Sequence, residues 1–95
     1  MTAKQIILPE FKLDGAAFRD AVRALYEAGK RYDPNHKGVN YLFTPDVEAG
    51  ASQPIRLDLK NVTLAEAAER LAQSAGVGVT AKDYGFVFYI ESNKP

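Results

Sequence analysis

Ninety-five residues are about one domain's worth of chain, and surface scaling gives a folded area of roughly 5,400 Å² against about 15,000 Å² extended. That suffices for one core, but not for a core plus a deep substrate cavity. Twelve basic residues balance twelve acidic ones, 46% of the chain is hydrophobic, and there is no cysteine or tryptophan. This composition excludes disulfide scaffolds, zinc–thiolate sites and thiol nucleophiles. It also gives no net pull toward nucleic acid or an anionic membrane.

At the N-terminus the apolar run Ile6-Ile7-Leu8 stops at Pro9. It is shorter than the roughly 7–15 apolar residues of a signal peptide or the roughly 20 of a spanning helix. The first strand is predicted over Ile7 to Leu13, where Phe11 and Leu13 alternate with Glu10 and Lys12. A helix is expected from about Ala16 to Arg31, with Phe18, Ala21, Val22, Leu25, Gly29 and Tyr32 on one stripe and charged residues on the other. Pro34 and Gly38 bracket a loop, and Val39 to Phe43 reads as a short strand. Thr44 to Pro54, with two prolines and a glycine, reads as a second loop.

Ile55-Arg56-Leu57-Asp58-Leu59-Lys60 is the clearest strand in the chain, because strict alternation buries one sheet face and wets the other. Thr63 followed by Glu66 forms a capping box, and a second long helix runs from Leu64 to Ala75 and stops at Gly76. Val77 to Ala81 and Phe86 to Ile90 are predicted as a closing hairpin across Lys82 to Gly85. A weak repeat underlies this order. Phe11-Lys12-Leu13 with the Phe18 helix parallels Leu57-Asp58-Leu59 with the Leu64 helix, 46 residues further on. Neither strand–helix half could bury its apolar face alone.

Catalytic material is scarce. His36 is the sole histidine, and its spacing to Asp33 and Asp46 matches no metal motif. Ser52, Ser74 and Ser92 lie in no nucleophile-elbow context. Gly76-Val77-Gly78 follows a helix and opens a strand, the reverse of a dinucleotide-binding glycine turn. Asn61-Val62-Thr63 matches a glycosylation sequon, but the capping box already explains Thr63. No catalytic, cofactor-binding or metal residue is therefore assigned, and no small-molecule substrate is expected. Lys30, Arg31, His36 and Lys37 form a modest basic patch beside Tyr32, which leaves a small nucleic-acid binder as the weaker reading. What remains is protein-facing surface. The last strand is apolar on both sides, so Val87 and Tyr89, with Tyr41 in the short middle strand, are the candidate partner-binding residues.

The chain resembles the short N-terminal domain shared by secretins and TonB-dependent receptors over about residues 9 to 91. The resemblance is carried by Phe11-Lys12-Leu13 before the first helix, Val39-Asn40, the run Ile55 to Ala67 with its Val62-Thr63-Leu64-Ala65-Glu66-Ala67 helix start, Ala75-Gly76, and Phe86 to Ile90. It implies an α+β fold of order β-α-β-β-α-β-β, with two helices packed between a two-stranded and a three-stranded sheet. It further implies a single domain over 1–95, core about 7–91, that is one module of a larger exported protein. The implied role is non-enzymatic docking in the periplasm, as part of an outer-membrane secretin-like protein in secretion or transport, without direct membrane insertion. Neighbouring subunits or domains and inner-membrane machinery are the implied partners. In the receptor alternative, the domain contacts an inner-membrane regulator. The loop Lys30 to Gly38 resembles the longer versions of secretin-like proteins.

Overall fold

The computed structural model describes residues 6–33, 39–50, 54–82 and 85–90. In chain order the elements are β1 (Ile7–Ala16), α1 (Phe18–Tyr32), β2 (Tyr41–Leu42), α2 (Pro45–Gly50), β3 (Ile55–Thr63), α3 (Leu64–Ala75), β4 (Gly78–Lys82) and β5 (Gly85–Tyr89). The fold is α+β, with a two-stranded sheet β1-β3 and a three-stranded sheet of order β2-β5-β4. It has three helices, not the two expected. The additional one, α2, lies inside the segment read as a loop. Its local grammar is sound: Pro45 stands at the first helical position, where its missing N–H costs nothing. The Val47 N–H donates to the Thr44 carbonyl at 3.1 Å. Six residues are too few to be helical on propensity alone, and Val47, 2% exposed, anchors this turn in the core.

The two long helices form where the apolar spacing places them. Phe18, Ala21, Val22, Leu25 and Gly29 are the buried residues of α1, and Leu64, Ala67, Ala68, Leu71, Ala72 and Ala75 those of α3. The helices pack on each other, α1 against β1 and α3 against both β3 and β4, so that α3 touches both sheets. Gly29 sets how closely they approach. A Cβ there would lie 2.9 Å from the Leu64 Cδ2 atom.

The ends of α3 are closed by local chemistry. The Glu66 N–H donates to the Thr63 hydroxyl at 3.1 Å, and the Leu64 N–H donates to the Ile6 carbonyl at 2.9 Å. At the other end Gly76 adopts φ 76°, ψ 27°, and its N–H turns back to the Ala72 and Gln73 carbonyls. Helix α1 starts at Ala17 with no side-chain cap. Thr63→Ala is therefore expected to cost about 1 kcal/mol in urea unfolding, whereas a change below a few tenths would show that water satisfies the exposed Glu66 N–H equally well.

The β1–β3 ladder runs antiparallel from Ile7↔Thr63 to Ala16↔Ile55, with an irregularity between Asp14 and Ala16 where Gly15 takes φ 81°. Both strands extend beyond the alternating stretches that predict them. Between the pairs Leu8↔Val62 and Glu10↔Lys60 lie Pro9, which has no N–H to give, and Asn61, at φ 54°. The buried side changes there: Leu8 and then Phe11 point inward on β1, while the partly buried Val62 follows Ile55, Leu57 and Leu59 on β3. Asparagine tolerates this left-handed conformation better than other residues with a Cβ.

The sequence repeat is a feature of the ladder itself. Phe11↔Leu59 and Leu13↔Leu57 are paired, and the 46-residue offset exchanges one pair for the other around Lys12↔Asp58. The two strand–helix halves are thus related by an approximate two-fold axis through that central pair. On the wet face, equivalent positions carry inverted charges: Glu10 and Arg56, Lys12 and Asp58, Asp14 and Lys60. Inversion is what makes all three cross-strand pairs opposite in sign, namely Glu10↔Lys60, Lys12↔Asp58 and Asp14↔Arg56. Arg56 donates directly to the Asp14 carboxylate. Both side chains are largely exposed, so this pair sets register more than it adds stability.

Candidate functional site

The three-stranded sheet has two unlike faces. Strand β5 is its middle member, antiparallel to β4 and parallel to the two-residue β2. Phe86 and Phe88 point inward and are buried. Phe88 meets Phe18 of α1 edge-to-face at 5.3 Å, and Phe18 meets Phe43 in the same way at 5.0 Å. These rings tie the first helix to the sheet.

Strand alternation then sends Val87 and Tyr89 to the outer face. Register places Leu42 beside Val87 on one side and Thr80 beside it on the other, with Gly78 opposite Tyr89. Leu42 is 48% exposed, and Val87, Tyr89 and Thr80 are partly exposed. A Cβ on Gly78 would fall 2.5 Å from the Tyr89 ring, so the missing side chain lets that ring lie across the sheet. Lys82, opposite Gly85, is exposed at the other end of the β4–β5 pair. The result is a partly exposed aliphatic and aromatic surface on the outer side of the sheet.

Of the three expected partner-binding residues, Val87 and Tyr89 share this face and Tyr41 does not. Tyr41 pairs with Phe86 on the inner side, stacked on Phe86 at 5.6 Å and on Phe88 at 6.2 Å. Leu42, its neighbour, occupies the outer position instead. The alternation of two consecutive apolar residues contains this information, but only pairing with β5 decides which of them points outward.

The Tyr41 hydroxyl is buried and has no hydrogen-bond partner among the described residues. Burial raises its pKa above the ordinary value of 10.0, since the phenolate would lose its solvation. A raised folded-state pKa means that the stabilising contribution is complete below the ordinary value and is lost as pH climbs past it. Tyr41→Phe is expected to stabilise the fold by about 1 kcal/mol at neutral pH, because it removes an unsatisfied hydroxyl and keeps the stack. It is also expected to flatten the alkaline decline in urea midpoint above about pH 10. Destabilisation by the same amount would show that the hydroxyl is satisfied.

The remaining candidates disperse. An open depression of about 230 Å³ on the β1–β3 ribbon is lined by Lys12, Leu13, Asp14, Arg56, Leu57 and Asp58. It is smaller than ordinary ligand pockets. Among the described residues no three His, Asp or Glu side chains are grouped as metal ligands. His36, Lys37, Ser52 and Ser92 lie outside the described residues, as do Asp83 and Tyr84 of the closing hairpin. Lys30 and Arg31 are exposed in the last turn of α1, where the Arg31 guanidinium sits 5.6 Å from the centre of the Tyr32 ring. No described helix is long and apolar enough to cross a membrane. Comparison with protein-family models, with curated proteins and with solved structures yields no match.

Proposed function

We propose that this protein is a non-enzymatic protein–protein docking module that uses the outer face of its three-stranded sheet. The carrying observation is the contiguous surface of Leu42, Val87 and Tyr89, with Leu42 half exposed. Such a face fits a partner that offers aliphatic side chains from one flat element, held by apolar burial with polar contacts at the rim near Lys82. The setting we assign is the periplasm, in an outer-membrane secretin-like protein. There the partner is a neighbouring subunit or a component of inner-membrane machinery. This assignment rests on the resemblance of residues 9 to 91 to the secretin and TonB-dependent receptor domain.

The test is amide-shift mapping or site-specific crosslinking with the parent assembly and its inner-membrane components. Contacts are expected at Leu42, Thr80, Val87 and Tyr89. Leu42→Asp together with Val87→Lys is expected to weaken association at least tenfold while leaving the fold intact, because both side chains already meet solvent. Unchanged association in that variant, or shifts confined to other surfaces, would remove this face from the proposal.

A further inference from the structure

Strand edges, unlike faces, present unpaired N–H and C=O groups that accept another strand, and proteins blunt the edges they do not use. The free edge of β1 is interrupted by Pro9 and by the irregularity at Gly15. Strand β4 is only five residues long. Along Ile55 to Lys60 the outer edge of β3 carries neither interruption, since the irregular Asn61 lies beyond this stretch. From Ile55 to Lys60 it contains no proline or glycine, and among the described residues it pairs only with β1. On its apolar side Leu57 and Leu59 are only partly buried.

We propose that this edge pairs antiparallel with the same edge of a second copy of the chain, about a two-fold axis at Leu57. The product is a four-stranded sheet of order β1-β3-β3-β1. Charge complementarity selects both the partner and the register. With the axis at Leu57, the wet face carries a row Asp14, Arg56, Asp58 of the second copy and Lys12 of the second copy, alternating in sign throughout. The two-fold generates the same row again on the other side of the axis. On the opposite, apolar face the row at the axis is all leucine, Leu13 and Leu57 of each chain, so pairing covers the half-buried side chains.

Neighbouring registers fail on stated grounds. An axis at Asp58 sets Asp58 against Asp58 and Arg56 against Lys60, which are like charges directly opposite. An axis at Arg56 sets the two arginines together. An axis at Leu59 restores the alternation but carries the ladder onto Asn61, whose φ of 54° leaves the extended conformation. An interface of one strand edge is small, so the dimer is a transient one. This interface is separate from the outer face of the three-stranded sheet, and its failure would leave the docking proposal standing.

The test is sedimentation equilibrium of the whole chain up to about 1 mM. A reversible monomer–dimer equilibrium is expected, with a dissociation constant between about 1 μM and 1 mM. D14R/R56D keeps the pair inside the chain with its signs exchanged. Across the axis, however, it sets the introduced carboxylate against Asp58 of the second copy, and it is expected to weaken the dimer at least tenfold. Adding K12D/D58R restores every contact within and between chains and is expected to restore the dimer. Independently, because the chain has no cysteine, L57C is expected to form a disulfide-linked dimer under mild oxidation while E69C, on an exposed position of α3, is not. A wild type that stays monomeric, a D14R/R56D variant that still dimerises, a fourfold variant that does not, or equal crosslinking at both cysteines would each overturn the proposal.

Discussion

Phe18→Ala is expected to remove about 3–5 kcal/mol of stability, the range for deleting a fully buried aromatic ring. A chain of this length has about 5–14 kcal/mol in total, so the loss is a large share of its stability. The reason is the position of the ring. Phe18 is the first residue of α1, 2% exposed, and it joins that helix to the three-stranded sheet through edge-to-face contacts with Phe43 and Phe88. Deletion leaves a cavity bordered by α1, β5 and the Phe43 connection between β2 and α2, and none can collapse into it without leaving its own partners. The measurement is a urea titration with the slope held to the wild-type value. A loss below about 1.5 kcal/mol would show that Phe43 or Phe88 refills the space, which places the link between helix and sheet elsewhere.

Gly85→Ala is expected to cost about 3 kcal/mol or more, although it adds a single methyl group. Gly85 adopts φ 145°, outside the range that residues with a Cβ occupy. Its absent Cβ would lie 2.3 Å from the Asn40 carbonyl oxygen. That oxygen cannot withdraw freely, because it accepts the Phe86 N–H at 2.9 Å, a bond that helps hold the two-residue β2 against β5. Substitution therefore strains the backbone and breaks this bond together. It also loosens the Tyr41 stack and the outer position of Leu42. Gly76→Ala provides the comparison: φ is 76°, yet nothing lies within 4 Å of the added carbon, so only the backbone term of about 1–2 kcal/mol applies. The two variants should rank in that order in unfolding experiments. Faster amide exchange at Leu42 and Phe86 should appear in the Gly85 variant alone. Equal costs would mean that β2 contributes little to stability.

Local periodicity carried much of the fold. The alternation of Ile55 to Lys60 and the Thr63–Glu66 box identify β3 and α3 because the residues that decide them are neighbours in sequence. The same holds for the apolar stripe of α1. The third helix was not legible, since Thr44-Pro45-Asp46 has the grammar of a helix start but six residues form a helix only when Val47 finds the core. The extra length of β1 and β3 was hidden for a related reason. Pro9 and Asn61 break the alternation in each strand separately, and only their position between the same two ladder pairs keeps the ribbon continuous. At the candidate site, Val87 and Tyr89 were readable from two-sided apolar character, whereas Tyr41 and Leu42 exchange roles once β2 is docked parallel to β5.

Length, even charge and missing cysteine bounded this protein from the start, leaving one core and little of the side-chain chemistry that common catalytic sites use. The sequence by itself also shows a weak repeat of two strand–helix halves. That equivalent positions carry opposite charges has a consequence only once the strands meet: pairing about Lys12↔Asp58 sets every wet-face charge of the ribbon opposite its counterion. The even balance of twelve and twelve thus acquires a spatial meaning along this ribbon. Which edge stays open and which apolar residues meet solvent depend on contacts between residues far apart in the chain, and no local pattern contains them.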